Sequence, residues 1–193
     1  MPLRICNDKH SGDRSVQKQI SFVDGVPVIS IVAWSNSGKT TFFEQVVAIL
    51  SKKGIKVGLI KHHAHTSPID IVGKDSWRYA QAGAIPVVVS SPEEYAVFRK
   101  RPDGEASLED LCKEISSEVD VILTEGYKYE GMSKIEFSRK DFKPEPVEDS
   151  KNLIALISDD TDRRAEFDAL DIPNFNLEDI TGVATFIESL LQG

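Results

Sequence analysis

Two hydrophobic patterns follow one another along this chain. Short, almost solid apolar runs occur at Val28–Val32, Ile55–Lys61, Ile85–Ser90, Val119–Thr124, Lys134–Phe137 and Leu153–Ile157. Runs of this length without alternation read as strands buried on both faces, as in a parallel sheet. Between them the period changes to that of a helix. Thr41 to Lys53 places Phe43, Val46, Val47 and Leu50 on one face and closes with Lys52, Lys53 and Gly54, a basic last turn followed by a glycine stop. Ser107 to Ser117 reads as a second helix, and a third starts within Gly73–Arg78 and runs to Ala82 before Gly83. At the end of the chain Asn176 is placed to cap a helix from Leu177 to Leu191, with Ile180, Val183, Ile187 and Leu190 as its apolar stripe.

The remaining segments are punctuation. Asp24-Gly25, between Ile20–Val23 and Val26–Val28, is a two-residue hairpin signal. Residues 7–19 are polar and without period, and Lys140–Lys151, with Pro144 and Pro146, reads as a loop. Strands alternating with helices predict an α/β fold, a mostly parallel sheet covered by helices on both faces. We expect a leader and hairpin arm over 1–26 and one nucleotide-binding domain over 27–193, with no internal repeat.

The join between the first buried strand and its helix carries the chemistry. Ala33-Trp34-Ser35-Asn36-Ser37-Gly38-Lys39-Thr40 connects them, and strand, tight loop ending Gly-Lys-Thr, then helix is the layout of a phosphate-binding loop. Backbone N–H groups and the helix N-terminus converge there and favour an anion. Lys39 brings positive charge to the outer phosphates, and the Thr40 hydroxyl is placed to ligate Mg²⁺. Trp34, Ser35, Asn36, Ser37, Gly38 and Thr41 complete the expected nucleotide-binding set. Asn36 stands where such loops often carry glycine, and asparagine enters the left-handed region more easily than other side chains.

Composition narrows the class. With 31 acidic against 23 basic residues, the net charge is −8, which argues against a protein that coats nucleic acid. No apolar stretch approaches a membrane span, and the first ten residues lack a signal-peptide core. Cys6 and Cys112 have neither metal nor redox spacing, so we expect two reduced thiols in a cytoplasmic protein.

Three further places bear on the site. Glu125-Gly126 ends an apolar strand, and an acid at the carboxyl end of a parallel strand faces the crevice where ligands bind. Glu125 is therefore the second metal-side candidate beside Thr40, because Mg²⁺ takes hard oxygen ligands. Lys61-His62-His63-Ala64-His65 follows the second strand. Lys61 is placed to approach the γ-phosphate or an acceptor. The histidines lack a cysteine or firm fourth ligand, so a zinc site is disfavoured. Asp75 either receives a cation, orients a water or caps its helix. Arg78 is the arginine expected nearest the site.

These motifs together resemble the molybdopterin-guanine dinucleotide biosynthesis protein B (MobB) family. The matching pieces are Ala33–Thr41, Leu59-Ile60-Lys61-His62-His63, Gly73-Lys74-Asp75-Ser76, Ala82-Gly83-Ala84, Thr124-Glu125-Gly126-Tyr127-Lys128, Lys134-Ile135-Glu136 and Ile154–Asp159. They run in the family's order from about residue 27 onward. The segment Thr66–Val72 departs from it: the family has an Asp-rich loop there, and this chain keeps only Asp70. The resemblance implies a P-loop fold, GTP and Mg²⁺ as ligands, weak GTP hydrolysis and a homodimer. It also implies service to a MobA-type guanylyltransferase that attaches GMP to molybdopterin, with possible molybdopterin contact. Lys39, Glu125 and Lys61 would be the residues at the reacting phosphates. No Asn-Lys-x-Asp segment is present to read guanine, so the base preference rests on the resemblance. The competing reading is an ATP-dependent small-molecule kinase or ligase of dethiobiotin-synthetase type, which shares a lysine after the second strand and a strand-end Glu-Gly.

Overall fold

The structure is a computed structural model that describes residues 20–63, 68–101, 104–127, 130–142 and 152–192. The hairpin β1 (Ser21–Val23) and β2 (Val26–Ala33) opens it, turning at Asp24 and Gly25 with φ of 51° and 82°. Two successive positive φ values make the tight turn that matches the twist of the strands. Then follow α1 (Lys39–Lys52), β3 (Val57–Lys61), α2 (Asp75–Gln81), β4 (Val87–Ser90), β5 (Tyr95–Phe98), α3 (Leu108–Ile115) and β6 (Val121–Glu125). The chain continues through β7 (Ser133–Ser138), β8 (Leu153–Ser158), α4 (Thr161–Ala169), β9 (Asn174–Phe175) and α5 (Ile180–Ser189).

The central sheet has the order β3-β6-β2-β7-β8-β9 with every one of those pairs parallel, and β1 joins it antiparallel to β2. Alternation along each strand sends side chains to opposite faces. Ile29, Ile31, Leu123, Ile135, Phe137 and Ile157 pack with α1 and α5. On the other face Val28 and Ile122 meet Leu108 and Cys112 of α3, and Leu153 and Leu156 meet Phe167 of α4. Helices thus cover both faces, as the apolar runs predicted. All six parallel strands share a direction, so Ala33, Lys61, Glu125, Ser138 and Ser158 come to one edge.

The second face also holds a polar stripe. Ser30 Oγ and Thr124 Oγ1 are hydrogen-bonded at 2.8 Å, and the Ser138 hydroxyl donates to Ser158 at 3.1 Å. Glu136 is 1 % exposed and accepts from Arg163 Nη2 of α4 at 2.7 Å. A buried carboxylate needs such a partner. Cys112 is fully buried, and burial followed by the charge of Glu109 pushes its thiol up to about 11. It stays protonated and inert at neutral pH.

Several expectations are corrected. The run Ile85–Ser90 yields β4, which starts at Val87 and pairs only with β5 in a separate antiparallel hairpin outside the central sheet. The last helix starts at Ile180, and its cap is Asp179, whose Oδ1 accepts from Gly182 N at 2.9 Å. Asn176 instead closes a turn by accepting from Glu178 N. Three elements have no counterpart in the sequence reading, α4, β5 and β9. Of the loop expected over 140–151, only 140–142 lie among the described residues, and residues 7–19 lie outside them.

Candidate functional site

At the carboxyl edge, β2 passes into α1 through Trp34–Gly38. Asn36 has φ 63° and Gly38 φ 89°, so the asparagine takes the left-handed conformation its position called for. Gly38 is the residue before the first turn of α1, and no side chain caps that turn. Nor does an acid occupy it. The first N–H groups of a 14-residue helix therefore face the loop without a side-chain acceptor, an arrangement that attracts an anion. Ser37 Oγ is buried and has no hydrogen-bond partner. A buried hydroxyl left unpaired is costly, and a phosphate oxygen in the loop would satisfy it.

Charged side chains gather beside the loop. Lys39 Nζ lies 3.1 Å from Glu125 Oε1, and Lys61 Nζ lies 3.6 Å from the same oxygen. Sheet register brings this about: Glu125 stands opposite Ile31 of β2 on one side and Lys61 of β3 on the other. Two ammonium groups on one carboxylate leave a net positive site next to a helix N-terminus, which suits a polyanion with its metal. A cavity of about 240 Å³ lies here, lined by Lys39, Thr40, Phe43, Glu44, Leu59 and Glu125 among others. A larger, open hollow of about 770 Å³ at Arg99–Arg101 and Glu105 includes none of the loop residues. The smaller one takes in Lys39 and Thr40 at the end of the loop, with Ile31, Phe43, Val47, Leu59 and Leu123 as its apolar wall.

Gly126 (φ 97°) passes so close to His62 that a Cβ there would come within 3.0 Å of His62 Cβ. That approach locks the ends of β3 and β6 together, with His62 N donating to Glu125 O at 2.8 Å. The His62 ring stands 5.1 Å from the ring of Tyr127, and its Nε2 is 2.7 Å from Glu105 Oε1. Burial, then the charge of Glu105, raises the Tyr127 phenol above its usual range. His62 is thus a structural latch beside the site. His63 is exposed, and His65 lies outside the described residues. Among the described residues no three His, Cys, Asp or Glu side chains are grouped to hold a metal.

The structure places the other expected residues as follows. Trp34 is half-buried, and Ser35, Asn36, Thr40 and Thr41 are exposed on the loop and first helical turn. Asp75 opens α2 and pairs with Arg78 at 3.6 Å, with both side chains more than 70 % exposed. No described contact brings either to the loop. The arginine at the loop is another one. Arg139, directly after β7, holds its Nη2 3.2 Å from the point where a Cβ on Gly38 would stand. Its position immediately past the strand beside β2 was the available signal, readable only once β7 was known to neighbour β2.

The comparisons with known proteins agree with this geometry. Residues 28–159 match the family model "Molybdopterin guanine dinucleotide synthesis protein B". The molybdopterin-guanine dinucleotide biosynthesis adapter protein of Escherichia coli K12 is 33 % identical over 171 residues, 86 % of this chain and 94 % of that protein. This chain belongs to the MobB family. The Haemophilus influenzae adapter protein is 30 % identical over 176 residues, covering 91 % of this chain and 95 % of its own length. Among solved structures, a molybdopterin-guanine biosynthesis protein B superposes with a TM-score of 0.67 at 30 % identity, covering 84 % of this chain and 99 % of that one. Bacillus subtilis MobB superposes with a TM-score of 0.67 at 28 % identity over 84 % of this chain and 96 % of that one. The mostly parallel sheet agrees with the fold of these structures, and the family is that of molybdopterin-guanine dinucleotide biosynthesis adapter proteins. No helix among the described residues is long and apolar enough to cross a membrane.

Proposed function

We propose that this MobB-family chain binds GTP with Mg²⁺ at the Trp34–Thr41 loop. In this reading it acts in the cytoplasm as an adaptor for a molybdopterin guanylyltransferase of MobA type. The observation that carries the reading is the meeting of Lys39, Lys61 and Glu125 in front of an uncapped helix N-terminus. Lys39 offsets phosphate charge from the loop side, and Lys61 does so from the end of β3. Thr40 and Glu125 would hold Mg²⁺, which would supply positive charge to offset that of the phosphates. Asp75 stays a candidate for the same site only if α2 moves toward it.

Hydrolysis in this reading is slow. Phosphoryl transfer needs a positioned water and added positive charge at the transition state, and no described side chain is placed to orient a water at the loop. An adaptor can hold GTP until its partner uses it. Phosphate release from GTP by the isolated protein should therefore stay near the buffer rate and respond to the guanylyltransferase. Rapid release of ADP from ATP on addition of a small-molecule acceptor, with no response to the partner, would favour a kinase of dethiobiotin-synthetase type instead.

The hairpin β4–β5 supports a homodimer. Val88, Tyr95 and Val97 on it and Tyr79 on α2 are 48–70 % exposed. A two-stranded hairpin with uncovered apolar side chains is marginal alone, and a second copy of the chain is the occupant we propose. Light scattering should return twice the 21.4 kDa chain mass; a single-chain mass at micromolar concentration would sink this part.

A further inference from the structure

We propose that Arg139 is a nucleotide-binding residue that grips the nucleoside end of the phosphate chain, on the side of the loop opposite the metal. The inference rests on the loop being a nucleotide site and adds a subsite to it. Lys39, Lys61 and Glu125 gather on the β6–β3 side of β2. Arg139 follows β7, which lies on the other side of β2. A triphosphate whose terminal phosphates meet Glu125 must run its remaining length away from β6, toward β7. The guanidinium stands where that length passes, against Gly38, with Nη2 at 3.2 Å and Cζ at 3.6 Å from the glycine's would-be Cβ. Any larger residue at position 38 would displace it.

The position is braced for such a role. Lys140 N donates to Asp159 Oδ1 at 2.7 Å, so the residue next to Arg139 is tied to the end of β8. Phe142 N donates to Arg139 O at 3.2 Å and closes the turn. The Ser138–Ser158 hydrogen bond joins the two strands just before. The backbone is thus fixed while the side chain is exposed. Among the described residues no carboxylate pairs with the guanidinium. An arginine held this way presents a planar fork matched to phosphate oxygens.

Calorimetric titration of Arg139→Gln and Arg139→Lys with GTP and with GDP, each with Mg²⁺, tests the placement. Gln keeps most of the stem and removes the charge, and an exposed site should leave the melting temperature within a degree or two of the parent. If a melt shows Gln to be destabilised, the Lys variant alone decides. The expected result is a loss of about tenfold for Gln, the scale of one charge-assisted hydrogen bond. The loss should be equal for GTP and GDP, with Lys falling between Gln and the parent. A loss confined to GTP would put Arg139 at the γ-phosphate and overturn the inference. Unchanged affinities for both nucleotides would overturn it too, while leaving the site itself standing. Failure of the parent to bind either nucleotide would instead remove the reading on which the inference depends.

Discussion

Replacing Lys39 with alanine should weaken GTP binding about a hundredfold, near the upper end of what a hydrogen-bonded charge contributes, with little change in melting temperature. The side chain is 14 % exposed and touches the fold chiefly through Glu125, which keeps Lys61 at 3.6 Å. Loss of the lysine therefore leaves no buried charge without a partner. It does remove the cation set closest to the loop's own helix. Calorimetry in Mg²⁺ buffer reads the affinity, and a thermal melt reads the fold. Parent-like affinity would mean that the loop does not hold the phosphates.

The largest stability loss should come from the other face of the sheet. Arg163→Ala leaves Glu136, 1 % exposed between β7 and α4, without the guanidinium 2.7 Å away. Breaking one side of a buried ion pair costs about 3 kcal/mol or more. In a chain of this size that is a fall of roughly 6–12 °C in melting temperature. A double variant, Arg163→Met with Glu136→Gln, should recover part of the loss, because the buried carboxylate that lost its guanidinium is gone as well. A single-variant melt within 2 °C of the parent would show that the pair contributes little.

Much of this was readable in the residues. Val28–Val32 and Val119–Thr124 are short, mostly β-branched runs with one interior polar residue each, Ser30 and Asp120, too short to pass for a helix, and Gly38-Lys39-Thr40 fixes where the first helix begins. Asn36 was legible because its backbone need and its side-chain tolerance coincide, and Glu125 because a strand end determines where its carboxylate lies. The misses have physical causes as well. Helix α4 presents a single buried apolar residue, Phe167, so it has no stripe to detect, and its stability comes from the Asp160 cap and from Arg163. Ile85–Ser90 has the composition of a buried strand yet lies on an exposed hairpin, since periodicity cannot report what covers a face. Arg78 was chosen by its closeness to a motif in sequence. Arg139 reaches the loop through sheet order, a long-range property that no local pattern carries.

The central claim is a Mg²⁺-dependent guanine nucleotide site at Trp34–Thr41, and one measurement addresses it directly. Titrating the parent protein with GTP and ATP, each in Mg²⁺ and in EDTA, should show GTP binding that strengthens with the metal and markedly weaker ATP binding at every condition. Equal or tighter ATP binding, or GTP affinity indifferent to Mg²⁺, would contradict it.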